Sequence, residues 1–213
     1  MTGKSKPELG IYLVDEPKAS RDSVTADLIL SGGIIATAAF ESPWPLAQGG
    51  YYDVEKSTRE GDAAYLQVVG LGKGESLKAL PPKWFGEKLF SVDGRYGAYG
   101  APTDIKVKAS GTEGEPVFDV SFTALTPGGS EVPRRGIVRA IQAPGSPDVL
   151  LLTCTTTPTR WKKEGADAVS RSAVGTFRVV ATRPTDLKPE PQADYRYGKT
   201  SGPSTMSSRN DGF

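Results

Sequence analysis

The sequence contains no histidine and only one cysteine among its 213 residues. Without imidazole, the chain lacks the commonest general base, the Ser-His-Asp and Cys-His pairs, and the most frequent ligand of zinc and copper. Cys154 has no second cysteine with which to form an internal disulfide, and it lies in the strand-like run VLLLTCTTT. A thiol in such a run is usually a small buried side chain. We therefore expect no catalytic residues, and we expect Cys154 to be structural.

Excess charge and long apolar runs are also missing. The formal net charge is +1 at pH 7, whereas proteins that bind nucleic acids without sequence preference usually carry an excess of Lys and Arg. No apolar run reaches the eighteen or so residues of a spanning helix, which argues against direct membrane insertion. The stretch LILSGGIIATAAF, residues 28–40, lacks the basic flank of a signal peptide and contains two glycines, so we interpret it as mature, strand-forming sequence.

Strand-like segments dominate the middle of the chain. Runs of β-branched and aromatic residues, bounded by Gly, Pro or Asp, predict strands at 34–40, 50–56, 63–71, 105–111, 116–125, 135–143 and 148–157. The flanking regions are polar and turn-rich. We therefore predict one domain at residues 34–182, an N-terminal arm at 1–33 and an extended C-terminal tail at 183–213.

Two segments have helical patterns. Residues 80–92 place prolines at the start of a segment with one apolar side. In the second segment Thr157 is the predicted N-cap and Pro158 the first helical residue. The predicted inward side of that helix consists of Trp161, Gly165, Ala168 and Ser172, and Gly175 is its predicted end.

Three cations crowd the start of this second helix, namely Arg160, Lys162 and Lys163. The helix dipole makes a cation there unfavourable by roughly 0.3 to 1 kcal/mol. A solvated helix face is the commonest interpretation, but the unfavourable position favours a surface that binds an acidic partner. A second predicted partner-binding group lies in the tail, where Tyr195, Arg196 and Tyr197 combine aromatic and cationic side chains.

Four carboxylates near the third predicted strand form a weak candidate metal site. Asp53 and Glu55 share one face of a strand, and Glu60 and Asp62 follow in the turn. Four such oxygen ligands suit a hard cation such as calcium. The spacing matches no EF-hand, and a solvated strand face with its loop explains the pattern equally well, so we predict no metal or cofactor bound by this chain itself.

Two motifs carry a family resemblance. The segment LLLTCTTTPTRWKKEGADAVSRSAVGTFRVV, with an Arg-Trp pair that opens the last helix before a Phe-containing last strand, resembles the C-terminal signature of the PsbP family of chloroplast lumenal proteins. The segment AAFESPWPLAQGGYYDVEKSTREGDAAYLQVV resembles that family's first strands. The resemblance spans about residues 34–182.

The resemblance implies an α+β fold, an α-β-α sandwich around a central antiparallel sheet of about six strands. It also implies a non-enzymatic role on the lumenal surface of a membrane-embedded photosystem in the thylakoid. Members support calcium and chloride retention at the oxygen-evolving site of photosystem II, or serve as accessory or assembly factors of photosystem II, photosystem I or the chloroplast NDH complex. Any calcium would then belong to the partner complex.

The chain departs from the family's pattern at both ends. Residues 1–30 do not resemble the N-terminal segment of the oxygen-evolving subunit, and the tail beyond Pro184 exceeds the usual domain end. These departures favour a divergent member whose tail makes its own contacts. A small-ligand binding domain and an unrecognised enzyme remain the rival interpretations.

Overall fold

A computed structural model describes residues 9–47, 54–59, 61–112 and 116–189 of the chain. Within these ranges the fold is α+β, as the sequence predicts, and every strand pairing is antiparallel. The strands are β1 (Lys18–Ser20), β2 (Ser23–Leu30), β3 (Ile34–Glu41), β4 (Glu55–Ser57), β5 (Ala63–Gly70), β6 (Thr103–Ala109), β7 (Val117–Leu125), β8 (Glu131–Gln142), β9 (Asp148–Thr156) and β10 (Arg178–Pro184). The helices are α1 (Pro82–Leu89), α2 (Pro158–Lys163), α3 (Ala166–Thr176) and a 3-10 turn at Leu77–Ala79.

A six-stranded sheet in the order β4-β5-β9-β8-β7-β6 forms the middle layer. All residues of its third strand, β9, are buried. Their side chains alternate between two apolar clusters, with Leu150, Leu152 and Cys154 in one and Val149 and Leu151 in the other. Because successive side chains of a strand point to opposite faces, both faces of this sheet are covered. The prediction that Cys154 is buried in a strand is confirmed.

The two faces of the central sheet are covered differently. On one face, the aromatic and aliphatic side chains of α1, including Phe85 and Leu89, pack on β7, β8 and β9. On the other, the larger cluster combines the central sheet with α3 and with a second sheet of order β1-β2-β3-β10. The six strands of the central sheet agree with the predicted number, whereas the four-stranded sheet is an addition that the sequence analysis did not anticipate.

The predicted N-terminal arm, residues 1–33, is wrong over its described part. Leu9, Ile11 and Leu13 are buried in the larger cluster, and β2 alternates buried and half-buried side chains before it turns into β3. The hairpin turn uses Gly32 in the left-handed conformation, at φ +81°, which glycine adopts without steric cost. The stretch at residues 28–40 is therefore part of the folded sheet, and the domain begins well before residue 34.

The C-terminal boundary also moves outward. Strand β10 continues to Pro184, and the Thr185 amide donates to the Gly33 carbonyl at 2.8 Å. The remaining tail from residue 190, which includes the predicted contact residues Tyr195, Arg196 and Tyr197, lies outside the described residues. Among the helices of the described ranges, none combines the length and apolar character that crossing a bilayer requires.

Candidate interaction site

The start of α2 is built as the sequence predicts. Thr157 precedes the helix in an extended conformation, its Oγ1 accepts a hydrogen bond from the Arg160 amide at 3.5 Å, and Pro158 occupies the first helical position. Proline suits that position because its missing N–H would have no partner within the helix. The end of the helix differs from the prediction. Gly165 adopts φ +74° and divides the expected single helix into α2 and α3.

This division changes which residues face inward. Three members of the predicted inward side, Gly165, Ala168 and Ser172, are exposed, and α3 runs through the predicted end at Gly175. The residues that α3 buries are Ala166, Ser170, Ala173 and Val174. Trp161 alone keeps its predicted direction: it is half-buried against the larger cluster, with the Arg171 guanidinium 5.9 Å from its ring centroid.

Arg160 is held by a carboxylate from a distant part of the chain. Its Nε lies 2.9 Å from Asp62 Oδ1 and 3.1 Å from Oδ2, and its Nη2 lies 2.5 Å from Asp62 Oδ2. Its Nη1 also donates to Glu164 Oε2 at 2.6 Å. Planar guanidinium and carboxylate groups form such paired hydrogen bonds with good geometry. The pair joins the start of α2 to the start of β5.

Asp62 is the buried centre of this arrangement. Only 1% of its side chain is exposed, and it accepts further hydrogen bonds from the hydroxyls of Thr156 and Thr58. Burial by itself would raise the pKa of Asp62, but the hydrogen bonds from Arg160, Thr156 and Thr58 and the positive charge of Arg160 together lower it below its ordinary value. We call Asp62, Thr156, Arg160 and Glu164 the Arg160–Asp62 junction.

The junction gives Arg160, one of the three predicted docking cations, a structural role through Asp62. Because α2 ends at Lys163, all three cations lie in its last turn, where the helix dipole favours them. The unfavourable position inferred from the sequence is therefore wrong. Lys162 and Lys163 are exposed on α2, and their role in partner binding stays a prediction.

The two described members of the predicted four-carboxylate metal site, Glu55 and Asp62, do not form a shared site. Glu55 is buried, and its two oxygens accept from Arg95 Nε at 2.8 Å and from Arg95 Nη2 at 2.9 Å. Asp62 is bound by Arg160 instead. Asp53 and Glu60 lie outside the described residues. In the described ranges there is no cluster of three or more potential ligand side chains.

A groove between α1 and β6 is the second notable feature. It has a volume of about 700 Å³. Gly86 and Phe90 line it from the helix side, and Pro102, Ile105 and Val107 line it from the strand side. Helix α1 approaches the strand closely at Gly86, where an added Cβ would lie 3.2 Å from the Val107 side chain. We call this feature the α1–β6 groove.

The groove is open to solvent at one of its apolar side chains. Ile105, which lines the groove, is 39% exposed. Val92 and Tyr99, in the stretch of chain between α1 and β6, are 54% and 49% exposed. An accessible apolar groove is typical of an interaction site. Lys83 and Glu87 of α1 also line the groove.

Neither feature is predicted from the sequence, because both depend on contacts between distant parts of the chain. The pairing of Asp62 with Arg160 spans 98 residues, and no local pattern reveals such a partner. The groove depends on where α1 packs, which is also non-local. One local signal was present: IKVK alternates apolar and cationic residues at period two, which is typical of a charged edge strand.

The comparisons with known proteins identify no family for this chain. No protein-family model matches it, and no curated protein matches it.

Proposed function

We propose that the protein is a non-enzymatic accessory protein of PsbP type, an extrinsic subunit or assembly factor on the lumenal surface of a thylakoid photosynthetic complex. Photosystem II is the leading partner. Photosystem I and the chloroplast NDH complex are the alternatives, because the chain departs from the oxygen-evolving subunit at its N-terminal segment and its tail.

The Arg160–Asp62 junction carries this proposal. The two sequence motifs that resemble the PsbP family lie about a hundred residues apart, one around Asp62 and the other around Arg160. In the folded chain they meet through three hydrogen bonds between these two side chains. Motifs that form one structural unit support a shared fold more strongly than two independent matches would. The six-stranded central sheet with a helix on each face is also compatible with that fold.

The chemistry of the thiol supports a non-enzymatic role. Cys154 is fully buried, and burial raises the pKa of its thiol well above the ordinary value. A thiol of that kind is a poor nucleophile, because the thiolate is the reactive form.

The test is co-migration with a defined complex. The epitope-tagged full chain is expressed in the chloroplast of an alga or plant, thylakoids are solubilised in mild detergent, and the complexes are separated on a density gradient. We expect the protein to sediment with photosystem II and to leave it after a salt wash, as contacts between exposed charges are screened by salt. Sedimentation with photosystem I or NDH would select an alternative. Recovery only at the position of the free protein, without a salt wash, would contradict the proposal.

A further inference from the structure

We propose that the outer edge of β6, together with the α1–β6 groove, binds an extended segment of a partner protein in which acidic and apolar residues alternate. The segment adds to the central sheet as a further strand. This proposal does not depend on which complex the protein serves, because it concerns a surface that can be tested with the purified chain.

The first support is the open edge of the central sheet. Strand β6 is the terminal strand, and β7 pairs with one of its edges. Within the described ranges no strand pairs with the other edge. An edge strand presents unpaired N–H and C=O groups to a further strand, and peptide recognition by strand addition uses these groups for affinity.

The second support is the different chemistry of the two faces of β6. Ile105 and Val107 point toward α1 and line the groove. Lys106 and Lys108 alternate with them, so they lie on the opposite face. An added strand continues both faces of the sheet, since residues opposite one another across strands are in contact. Its side chains must therefore be apolar beside Ile105 and Val107 and anionic beside the two lysines.

The neighbouring strand β7 provides little negative charge to neutralise Lys106 and Lys108. Lys108 lies opposite Asp119 in the pairing of β6 with β7. Asp119 already accepts a hydrogen bond from Arg171 of α3 at 3.1 Å. A carboxylate from an added strand is thus the complementary charge for Lys106 and Lys108.

The start of β6 limits where the segment can bind. Asp104 adopts φ +52°, a conformation that is uncommon for a residue with a side chain, and the pairing with β7 shifts between Thr103 and Lys106. Such bulges interrupt regular pairing, and strained backbone is often found at binding sites. We therefore expect the added segment to pair regularly through its backbone with residues 106–109. Near Asp104 the segment contacts the apolar residues of this chain through its side chains only.

A second copy of this chain and its own tail fit the edge less well. Two copies paired through β6 would place lysines against lysines, which is destabilising. In residues 190–213 the acidic residues are isolated and do not alternate with apolar side chains. A segment from another protein, with acidic and apolar residues at period two, matches both faces.

The first experiment uses a defined probe, the fluorescein-labelled peptide Glu-Val-Glu-Ile-Glu-Val-Glu, and fluorescence anisotropy with the full chain. We expect saturable binding. The matched peptide with Lys in place of every Glu should bind at least about tenfold more weakly, because each unfavourable charge contact reduces affinity. A probe with N-methylated backbone amides should lose binding, because it cannot form the strand hydrogen bonds. Equal binding of the N-methylated probe, or no binding of the parent peptide, would overturn the proposal.

The second experiment assigns the surface. The double variant Lys106→Glu, Lys108→Glu should bind the parent peptide roughly tenfold more weakly, which corresponds to two surface charge contacts. The control Lys162→Glu, Lys163→Glu has the same net charge and should bind within about twofold of the wild type. Both variants are first checked for unchanged amide spectra. Equal weakening in both would show general electrostatic attraction and reject the site.

Two further outcomes identify a different occupant. Concentration-dependent dimers that the Lys106, Lys108 variant abolishes would assign the edge to a second copy. Deletion of residues 190–213 that strengthens peptide binding at least about tenfold would assign it to the chain's own tail. Either result would overturn the partner proposal, which predicts a monomer whose peptide affinity is unchanged by the deletion.

Discussion

The Arg160–Asp62 junction and the α1–β6 groove use charge in opposite ways. In the junction, Asp62 is almost fully buried and is bound by several donors, and the Arg160 side chain is only 26% exposed. In the groove, Lys83 meets Glu87 at 3.6 Å, and both side chains are largely exposed. Buried and fully paired charges fix the position of secondary-structure elements, whereas exposed charges contribute little to stability and remain accessible to a partner.

Removal of the buried carboxylate should destabilise the protein more than any other change considered for the junction or the groove. Asp62→Ala removes the buried acceptor of the Thr156 hydroxyl and of Arg160 Nε and Nη2. We expect a loss of about 3 kcal/mol in the free energy of unfolding, near the lower end for a broken buried pair because Arg160 is partly exposed. Urea unfolding measures it. Glu164→Ala, which removes only the exposed partner, should cost less than about 0.5 kcal/mol. Similar losses in the two variants would show that burial does not distinguish them.

Trp161 tests the packing beside the junction. Trp161→Ala should cost about 2 kcal/mol, less than the 3 to 5 kcal/mol typical of a fully buried tryptophan, because the ring is half-exposed. Thermal and urea unfolding of the full chain measure this loss. Trp161→Phe is the control and should retain most of the stability. A loss as large as that of Asp62→Ala would mean that the ring anchors α2 more strongly than the ion pair does.

Acid should remove the contribution of the junction. The pKa of Asp62 is lower in the folded protein than the unfolded value of about 3.9. Its stabilisation is therefore present above the unfolded pKa and is lost as the pH falls through the folded pKa. The gap in unfolding free energy between the wild type and Asp62→Asn should narrow over that window. Denaturant titrations between pH 7 and pH 2 measure the gap, and a constant gap would contradict this interpretation.

A charge reversal on the edge strand β6 should have the smallest effect on stability. Lys106→Glu changes an exposed side chain on an edge strand, so we expect the free energy of unfolding to change by less than about 0.5 kcal/mol. Urea unfolding beside Asp62→Ala gives the direct comparison. A loss above 1 kcal/mol would indicate that Lys106 belongs to the structural charges of the domain.

The sequence predicts the regular strands of the central sheet well. Strand β7 has Phe118, Val120 and Phe122 at period two, and all three are buried. Strand β9 contains the short apolar run VLLL, and all of its residues are buried, as expected of a strand covered on both faces. Helix α1 begins with Pro82 in its first turn, within the predicted segment. The spacing of apolar residues is enough to predict an element when burial of its faces decides which of its residues are apolar.

The remaining elements depend on non-local contacts. Strand β2 has alternating Val24, Ala26 and Leu28, but its polar surroundings predict an arm. The sequence does not predict the break at Gly165, because a small residue also fits the side of a continuous helix and periodicity does not reveal a left-handed conformation. Asp62 is a candidate metal ligand from the sequence because its charge is visible there, whereas its distant arginine partner is not.

The position of β10 constrains how this domain is synthesised. It is the last strand of the described chain, and it pairs with β3, one of the first. Until residue 184 has left the ribosome, the corresponding edge of β3 has no native partner, so the four-stranded sheet cannot be completed before then. Such late closure raises contact order and leaves a strand edge open to aggregation. The four-stranded sheet therefore closes only after all strands of the central sheet, which lie between β3 and β10 in the sequence, have been synthesised.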